Sequence, residues 1–257
     1  FFLHPDAATP DPLWSRGLGD VYKRQGYSIL KRLVEDGIKV IAIDKDKIGL
    51  KKITKEFNVK TINLDLTNTK ELYKKLSKIQ TDILINNAGI GRGIEGIISA
   101  KPKDIEISTK LNVEAHLHII KAIVPNMIKR RKGHIVLMGS IAGLYPTQSA
   151  IYGGQKGAVH RIAQSLRIEL KGSRVKLTEI CPGRTKTNFG NAAFDNKKIA
   201  KKFMSGFTLL EPEDISEAVM FALSTRWRSN ISLIEISGTE QSAGGVPIFP
   251  VKDAILD

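Results

Sequence analysis

The chain has 257 residues, 42% of them hydrophobic, with 40 Lys and Arg against 26 Asp and Glu for a net charge of +14. That is ample apolar material for a core, and it does not fit an intrinsically disordered chain. No apolar run approaches the roughly 20 residues of a membrane helix, so no membrane partner is expected. The opening FFLHPDAATP lacks the basic and apolar regions of a signal peptide. Cys181 is the one cysteine; it cannot form an internal disulfide and is expected to pack, with a reducing cytoplasm as the default setting. The positive charge would suit nucleic acid, but the lysines scatter along helix faces. The densest group, Lys129 to Lys132, closes a helix where cations suit the macrodipole. No nucleic-acid partner is expected.

Taken in order, residues 1–25 show no helix or strand period and carry three prolines in their first twelve positions. At Gly26 the texture changes. Ile29, Leu30, Leu33 and Val34 make one helical stripe, with Gly37 placed as a C-terminal cap. A strand is predicted at 39–43, a helix at 46–57, a strand at 60–64, a helix at 69–79 and a strand at 82–86. A long helix should cover 103–131, and HIVLMG reads as a buried strand. A further helix runs to Lys171, then RVKLTEICPG forms a strand, a helix opens at Glu211-Pro212-Glu213 and NISLIEI is the last strand. Regular βα alternation without a polar linker predicts a single α/β domain over 26–257, a doubly wound parallel sheet with helices on both faces.

The chemistry concentrates in GSIAGLYPTQSAIYGGQK, residues 139–156. Tyr152 and Lys156 are four apart and share a helical face; Ser140 follows the strand. A cation beside a phenol lowers its pKa from about 10 and makes it a usable acid or base. Ser140 could hold a substrate oxygen. Taken alone, the tyrosine–lysine spacing also fits an ordinary amphipathic pair.

Together these motifs resemble the short-chain dehydrogenase/reductase family, over about Gly26 to Gly244. The resemblance implies a Rossmann-like fold, a nicotinamide dinucleotide and hydride exchange with a small alcohol or carbonyl compound. Tyr152 would move the proton, Lys156 would tune it and hold the nicotinamide ribose, Ser140 would fix the substrate, and Asn112 would hold a water in a proton relay. Cofactor contacts implied by the same resemblance are Gly26, Asp65, Leu66, the Asn87-Ala88-Gly89 turn, Pro182, Gly183, Thr185 and Thr187. Asp44, eighteen residues after Gly26, would take the adenosine ribose hydroxyls and would repel a 2′-phosphate, which favours NAD. Lys45 and Lys47 leave NADP open. His116 and His118 are two apart, on different helical faces, without a carboxylate or cysteine cluster, so no metal site is expected. Arg92, Arg184 and Lys186 could grip a substrate carboxylate, or be plain surface charges. The stretch 188–210 corresponds to the variable substrate lid, and the ending SGTEQSAGG resembles members acting on small 3-hydroxy acids such as serine. Dimers or tetramers are common in the family.

One departure stands out. The family's T-G-x-x-x-G-x-G pattern would put its threonine on Gly19 and its glycines on Asp20, Arg24 and Gly26, and only Gly26 matches. Gly17-Leu18-Gly19 lies too far from the helix to place its amides on a pyrophosphate, and no upstream apolar run suggests a first strand. Residues 1–25 are therefore expected to be a foreign leader replacing that strand and most of the phosphate loop. This leaves a rival: a non-catalytic relative that senses a dinucleotide or scaffolds partners.

Overall fold

In the computed structural model, which describes residues 13–15, 25–187, 189–194 and 196–241, seven parallel strands form one sheet. The strands are β1 (Leu13–Ser15), β2 (Ile41–Asp44), β3 (Lys60–Asn63), β4 (Ile83–Asn86), β5 (Gly133–Met138), β6 (Val175–Pro182) and β7 (Leu233–Ile236). Their spatial order is β3-β2-β1-β4-β5-β6-β7. The helices are α1 (Gln25–Glu35), α2 (Lys47–Phe57), α3 (Thr69–Leu76), α4 (Pro102–Thr109), α5 (Ala115–Arg130), α6 (Ile141–Leu144), α7 (Ala150–Glu169), α8 (Phe189–Ala193), α9 (Lys197–Phe203) and α10 (Pro212–Ser224). Strand direction reverses its order of addition between β1 and β4, the position at which such sheets open a crevice for ligands.

Alternation along each strand separates two cores. Ile41, Ile43, Leu84, Ile135 and Leu137 pack with Leu72 of α3, Ile119 and Ile123 of α5 and Val159 of α7. Ala42, Ile83, Ile85, Val136 and Met138 face the other way, against Ile29 and Leu33 of α1, Ile53 of α2 and Val219 of α10. Period two on the strands and period 3.6 on the helices thus produce a sheet covered on both faces. This is the single-domain Rossmann-like arrangement read from the sequence.

Local chemistry explains the element ends. Gly37 follows α1 with a φ of 73°, and its amide donates to Val34 at 2.9 Å, as its capping position predicted. Asp46 caps α2 by accepting from the amides of Ile48 and Gly49 at 3.0 and 3.1 Å. Glu211 starts α10 with its own amide donating to Asp214 at 2.7 Å.

Two expectations need correcting. The first is that no strand precedes Gly26. Leu13–Ser15 occupies the central slot, paired with Ile41–Ile43 on one side and Leu84–Asn86 on the other. The slot offers two rows of backbone donors and acceptors. Extended backbone fills it without needing an alternating apolar pattern, so three residues escaped a search for periodicity. The second concerns the long helix at 103–131, which is interrupted by a π-helical turn over Lys110–Glu114. The inserted residue re-aims the side chains around it, as such turns do at functional sites. Asn112 sits in that turn.

Candidate active site

The loops at the C-terminal ends of β4, β5 and β6 converge at the crevice side of the sheet. Ser140 leaves β5 as the cap of α6, accepting from the Ala142 amide at 3.1 Å. Ser149 caps α7 by accepting from Tyr152 N at 3.2 Å, which sets the start of that helix and hence the directions of Tyr152 and Lys156. The Tyr152 and Ser140 hydroxyls are hydrogen-bonded. Lys156 is buried and its Nζ lies 6.0 Å from the Tyr152 ring centre. The three groups singled out from sequence do meet.

The electrostatics depart from expectation. Burial pushes the Tyr152 phenol up to about 12, opposed by its hydrogen bond with Ser140. The lysine does not bring it down here because the ammonium is turned away, donating to the Met138 carbonyl at 2.8 Å. Burial lowers Lys156 itself to about 8, while Cys181 and Glu179 act to raise it. Tyr152 is thus a neutral proton donor, and Lys156 is mostly a cation at pH 7.

Asn112 clasps the loop after β4. Its Oδ1 accepts from Ile90 N at 2.8 Å, and its Nδ2 donates to Ile90 O at 2.8 Å and to Gln155 Oε1 at 2.7 Å. Both amide hydrogens are committed to these bonds, which leaves Oδ1 one lone pair. Gln155 in turn donates to Ser108 and Thr109 at 2.9 and 3.1 Å. A Cβ at Gly89 would sit 3.3 Å from Asn112 Oδ1 and 3.7 Å from Lys156 Nζ, so the loop lies directly against these two side chains.

Two positioning residues carried no sequence signal. His116 is buried and its Nε2 meets the Ala88 carbonyl at 2.7 Å. A carbonyl only accepts, so Nε2 carries the proton. Burial and the Lys156 charge depress this histidine to about 4. It is a core histidine, one of the two alternatives; His118 instead bonds Tyr73 Oη at 3.1 Å. Gly143 of α6 is the second: a Cβ there would fall 2.5 Å from the Lys156 carbonyl oxygen. Among the described residues no group of three or more His, Cys, Asp or Glu is gathered to hold a metal.

The remaining cofactor candidates divide. Gln25 Nε2 donates to Asn87 Oδ1 at 3.3 Å, which brings the start of α1 and the buried Gly26 against the post-β4 loop; a helix N-terminus there suits a pyrophosphate. Asp44 ends β2 buried, with one carboxylate oxygen accepting from Asp46 N at 2.9 Å. The described bond is that of an aspartate opening a turn. Asp65 accepts from Thr67 N and Oγ1 at 2.9 and 2.7 Å. Leu66 lies in the core, so only its backbone is free to touch a ligand. Lys45, Lys47, Asn63, Asp65 and Lys75 line a cavity of about 790 Å³ beyond β2 and β3. Pro182 closes β6, and the Gly183 amide donates to Ile236 at 2.7 Å. Thr185 donates back to the Gly183 carbonyl at 3.2 Å, and Thr187 accepts from Phe189 N at 3.2 Å. Gly19, Asp20 and Arg24, and residues 242–245 of the SGTEQSAGG ending, lie outside the described residues.

The candidate carboxylate cations also divide. Lys186 is paired with Glu211 at 2.6 Å. Arg184 stacks on Phe203 at 4.2 Å and Phe207 at 5.4 Å, joining the β6 turn to the segment expected as a lid. Tyr152 faces that segment too, with its ring 5.4 Å from Phe189. In the basic cluster, Arg130 and Lys132 both pair with Asp82, Lys132 at 2.6 Å.

Comparison with known proteins agrees with this geometry. The short chain dehydrogenase family model matches residues 25–198. The NADP-dependent 3-hydroxy acid dehydrogenase YdfG of Salmonella typhi is 32% identical, over 87% of this chain and 94% of that protein. The closed form of serine dehydrogenase complexed with NADP+ is similar with a TM-score of 0.83 at 30% identity, covering 93% of this chain and 100% of that one. Serine dehydrogenase from Escherichia coli gives 0.76 at 28% identity, covering 90% and 99%. The chain therefore belongs to the short-chain dehydrogenase/reductase family of NAD(P)-dependent oxidoreductases acting on CH–OH groups.

Proposed function

We propose that this protein oxidises a small 3-hydroxy acid, with serine-like compounds as the substrate class. The observation that carries the reading is the meeting of Tyr152, Ser140 and Lys156 at the end of β5. Ser140 holds the reacting oxygen. In oxidation Tyr152 Oη must first lose its own proton, and as the phenolate it takes the hydroxyl proton; in reduction the neutral phenol gives its proton to the carbonyl oxygen. The Lys156 ammonium stabilises whatever phenolate forms. A nicotinamide dinucleotide, when bound, supplies the hydride acceptor or donor. Gly26, Asn87, Ala88, Gly89, Pro182, Gly183, Thr185 and Thr187 would hold it, in a crevice bordered by α1.

The expectation of NAD rested on Asp44. Its carboxylate is buried with one oxygen on the Asp46 amide, whereas Lys45 and Lys47 are exposed beside the cavity. That arrangement supports NADP as the cofactor, in line with the relatives' names. A cytoplasmic homodimer or homotetramer completes the reading; light scattering on the purified chain tests the assembly. The leader reading of residues 1–25 is a separate proposal that resequencing the upstream locus decides.

The test is absorbance at the reduced-nicotinamide band with NADP or NAD and a panel of small hydroxy acids. Turnover of a 3-hydroxy acid that disappears in Tyr152→Phe is expected. Turnover that survives that change removes Tyr152 from the base role. The unmatched glycine positions favour one second reading, a dinucleotide-independent scaffold. Titration with either cofactor separates the two, since the scaffold binds neither.

A further inference from the structure

Tyr152, Lys156, His160 and Gln164 recur every four residues along α7 and make one stripe. The stripe lies over Leu177, Glu179 and Cys181, which alternate onto the same face of β6. Glu179 is fully buried. One of its oxygens meets His160 Nδ1 at 2.7 Å, and the other lies beside the Cys181 thiol. The chain of donors behind it is fixed. Arg161 donates to Gln164 Oε1 at 2.8 Å, so the Gln164 amide nitrogen faces His160 Nε2 at 3.0 Å. His160 Nε2 is then an acceptor and Nδ1 carries the proton toward Glu179.

That second Glu179 oxygen lies at the backbone that receives Lys156. A side chain at Gly139 would collide with Glu179 and would place its Cβ 2.8 Å from Cys181 Sγ. Met138, the residue before it, takes the Lys156 ammonium at 2.8 Å. The cross-strand neighbours contribute no second charge. Leu137 and Leu233 flank Glu179 in the sheet, and Glu235, opposite Cys181, is turned to Tyr145 Oη at 2.9 Å. Tyr152, the Cys181 thiol and His116 of α5 also face Lys156, and none carries a negative charge: burial pushes the phenol and the thiol up, Glu179 adds to the effect on Cys181, and burial holds His116 neutral.

We propose that Glu179 is a positioning residue for the reaction: its buried carboxylate, oriented by the Nδ1–H tautomer of His160, supplies the negative charge that keeps the Lys156 ammonium protonated beside Tyr152. Removing that charge leaves a buried lysine to face its desolvation alone. The consequence for turnover rests on the dehydrogenase reading; the charge relation does not.

The experiment follows the Lys156 Cε resonance through a pH titration of the full chain labelled with ¹³C-lysine, free of cofactor, with Lys156→Met to assign the signal. In Glu179→Gln the midpoint, about 8 in the parent, falls by about one pH unit, and the alkaline limb of kcat/KM falls with it. In His160→Gln the carboxylate remains and the midpoint does not fall. Should Glu179→Gln not fold, His160→Arg sets a permanent cation on the same carboxylate and must lower the midpoint instead. An unmoved midpoint in whichever of these two variants folds overturns the proposal. A parent protein that turns over no hydroxy acid, yet shows the shifted midpoint, overturns the dehydrogenase reading and leaves the charge relation standing.

Discussion

Replacing Asn112 with alanine tests how the site is held together. Three buried bonds, of 2.8, 2.8 and 2.7 Å, join its amide to Ile90 N, Ile90 O and Gln155 Oε1. Alanine leaves all three partners without a mate, and each buried orphan costs about 1–3 kcal/mol. The Gln155 side chain cannot swing round to compensate, because its amide nitrogen is already held by Ser108 and Thr109. Roughly 3–9 kcal/mol should be lost, a large part of the 5–15 kcal/mol or so that stabilises an ordinary domain. Asn112→Asp sharpens the test. An aspartate satisfies the Ile90 amide but faces two acceptors, the Ile90 carbonyl and Gln155 Oε1, with nothing to donate, so it should be at least as unstable as alanine. Urea unfolding at pH 7 with comparison of m-values measures both. Activity should fall beyond the folded fraction, since the Asn87–Gly89 loop loses its clasp. A loss below about 1 kcal/mol in Asn112→Ala, or an Asp variant as stable as the parent, would refute the assignment of these bonds.

The other expectations are briefer. His116 and His134 are buried and depressed to about 4 and about 3, in each case mainly by desolvation. Both stay neutral when folded, whereas unfolded imidazoles take protons near pH 6.5, so stability is complete above that value and drains as pH falls. Between pH 7 and 5 the pair should cost roughly 3–4 kcal/mol; His134→Gln should remove about half of that dependence, and an unchanged slope would count against it. Gly154 lies inside α7 with open space where a Cβ would go, so Gly154→Ala should stabilise the helix by about 1 kcal/mol in thermal melts. Gly143→Ala should do the reverse, losing about 1–3 kcal/mol, because the new methyl meets the Lys156 backbone rather than a yielding side chain. Lys45→Glu should raise the KM for NADP at least tenfold and leave that for NAD nearly unchanged.

The sequence by itself determined the layers and the reacting groups. Unbroken apolar runs in β2, β4 and β5 and the helical stripe of α1 are local properties, and the four-residue spacing of Tyr152 and Lys156 places them on one helical face wherever the helix goes. Contacts between distant segments were another matter. Leu13–Ser15 entered the sheet through backbone pairing, which leaves no periodic trace in three residues. The π-helical turn around Asn112, the Ala88 clasp of His116 and the approach of Gly143 to Lys156 each depend on two elements meeting at a particular distance. Charge was decided at the same level. The burial of Asp44 against the Asp46 amide and the turn of the Lys156 ammonium to Met138 have no local signature. A side chain's identity is written locally, but its solvation and its partners belong to the packed fold, and a proton responds to those.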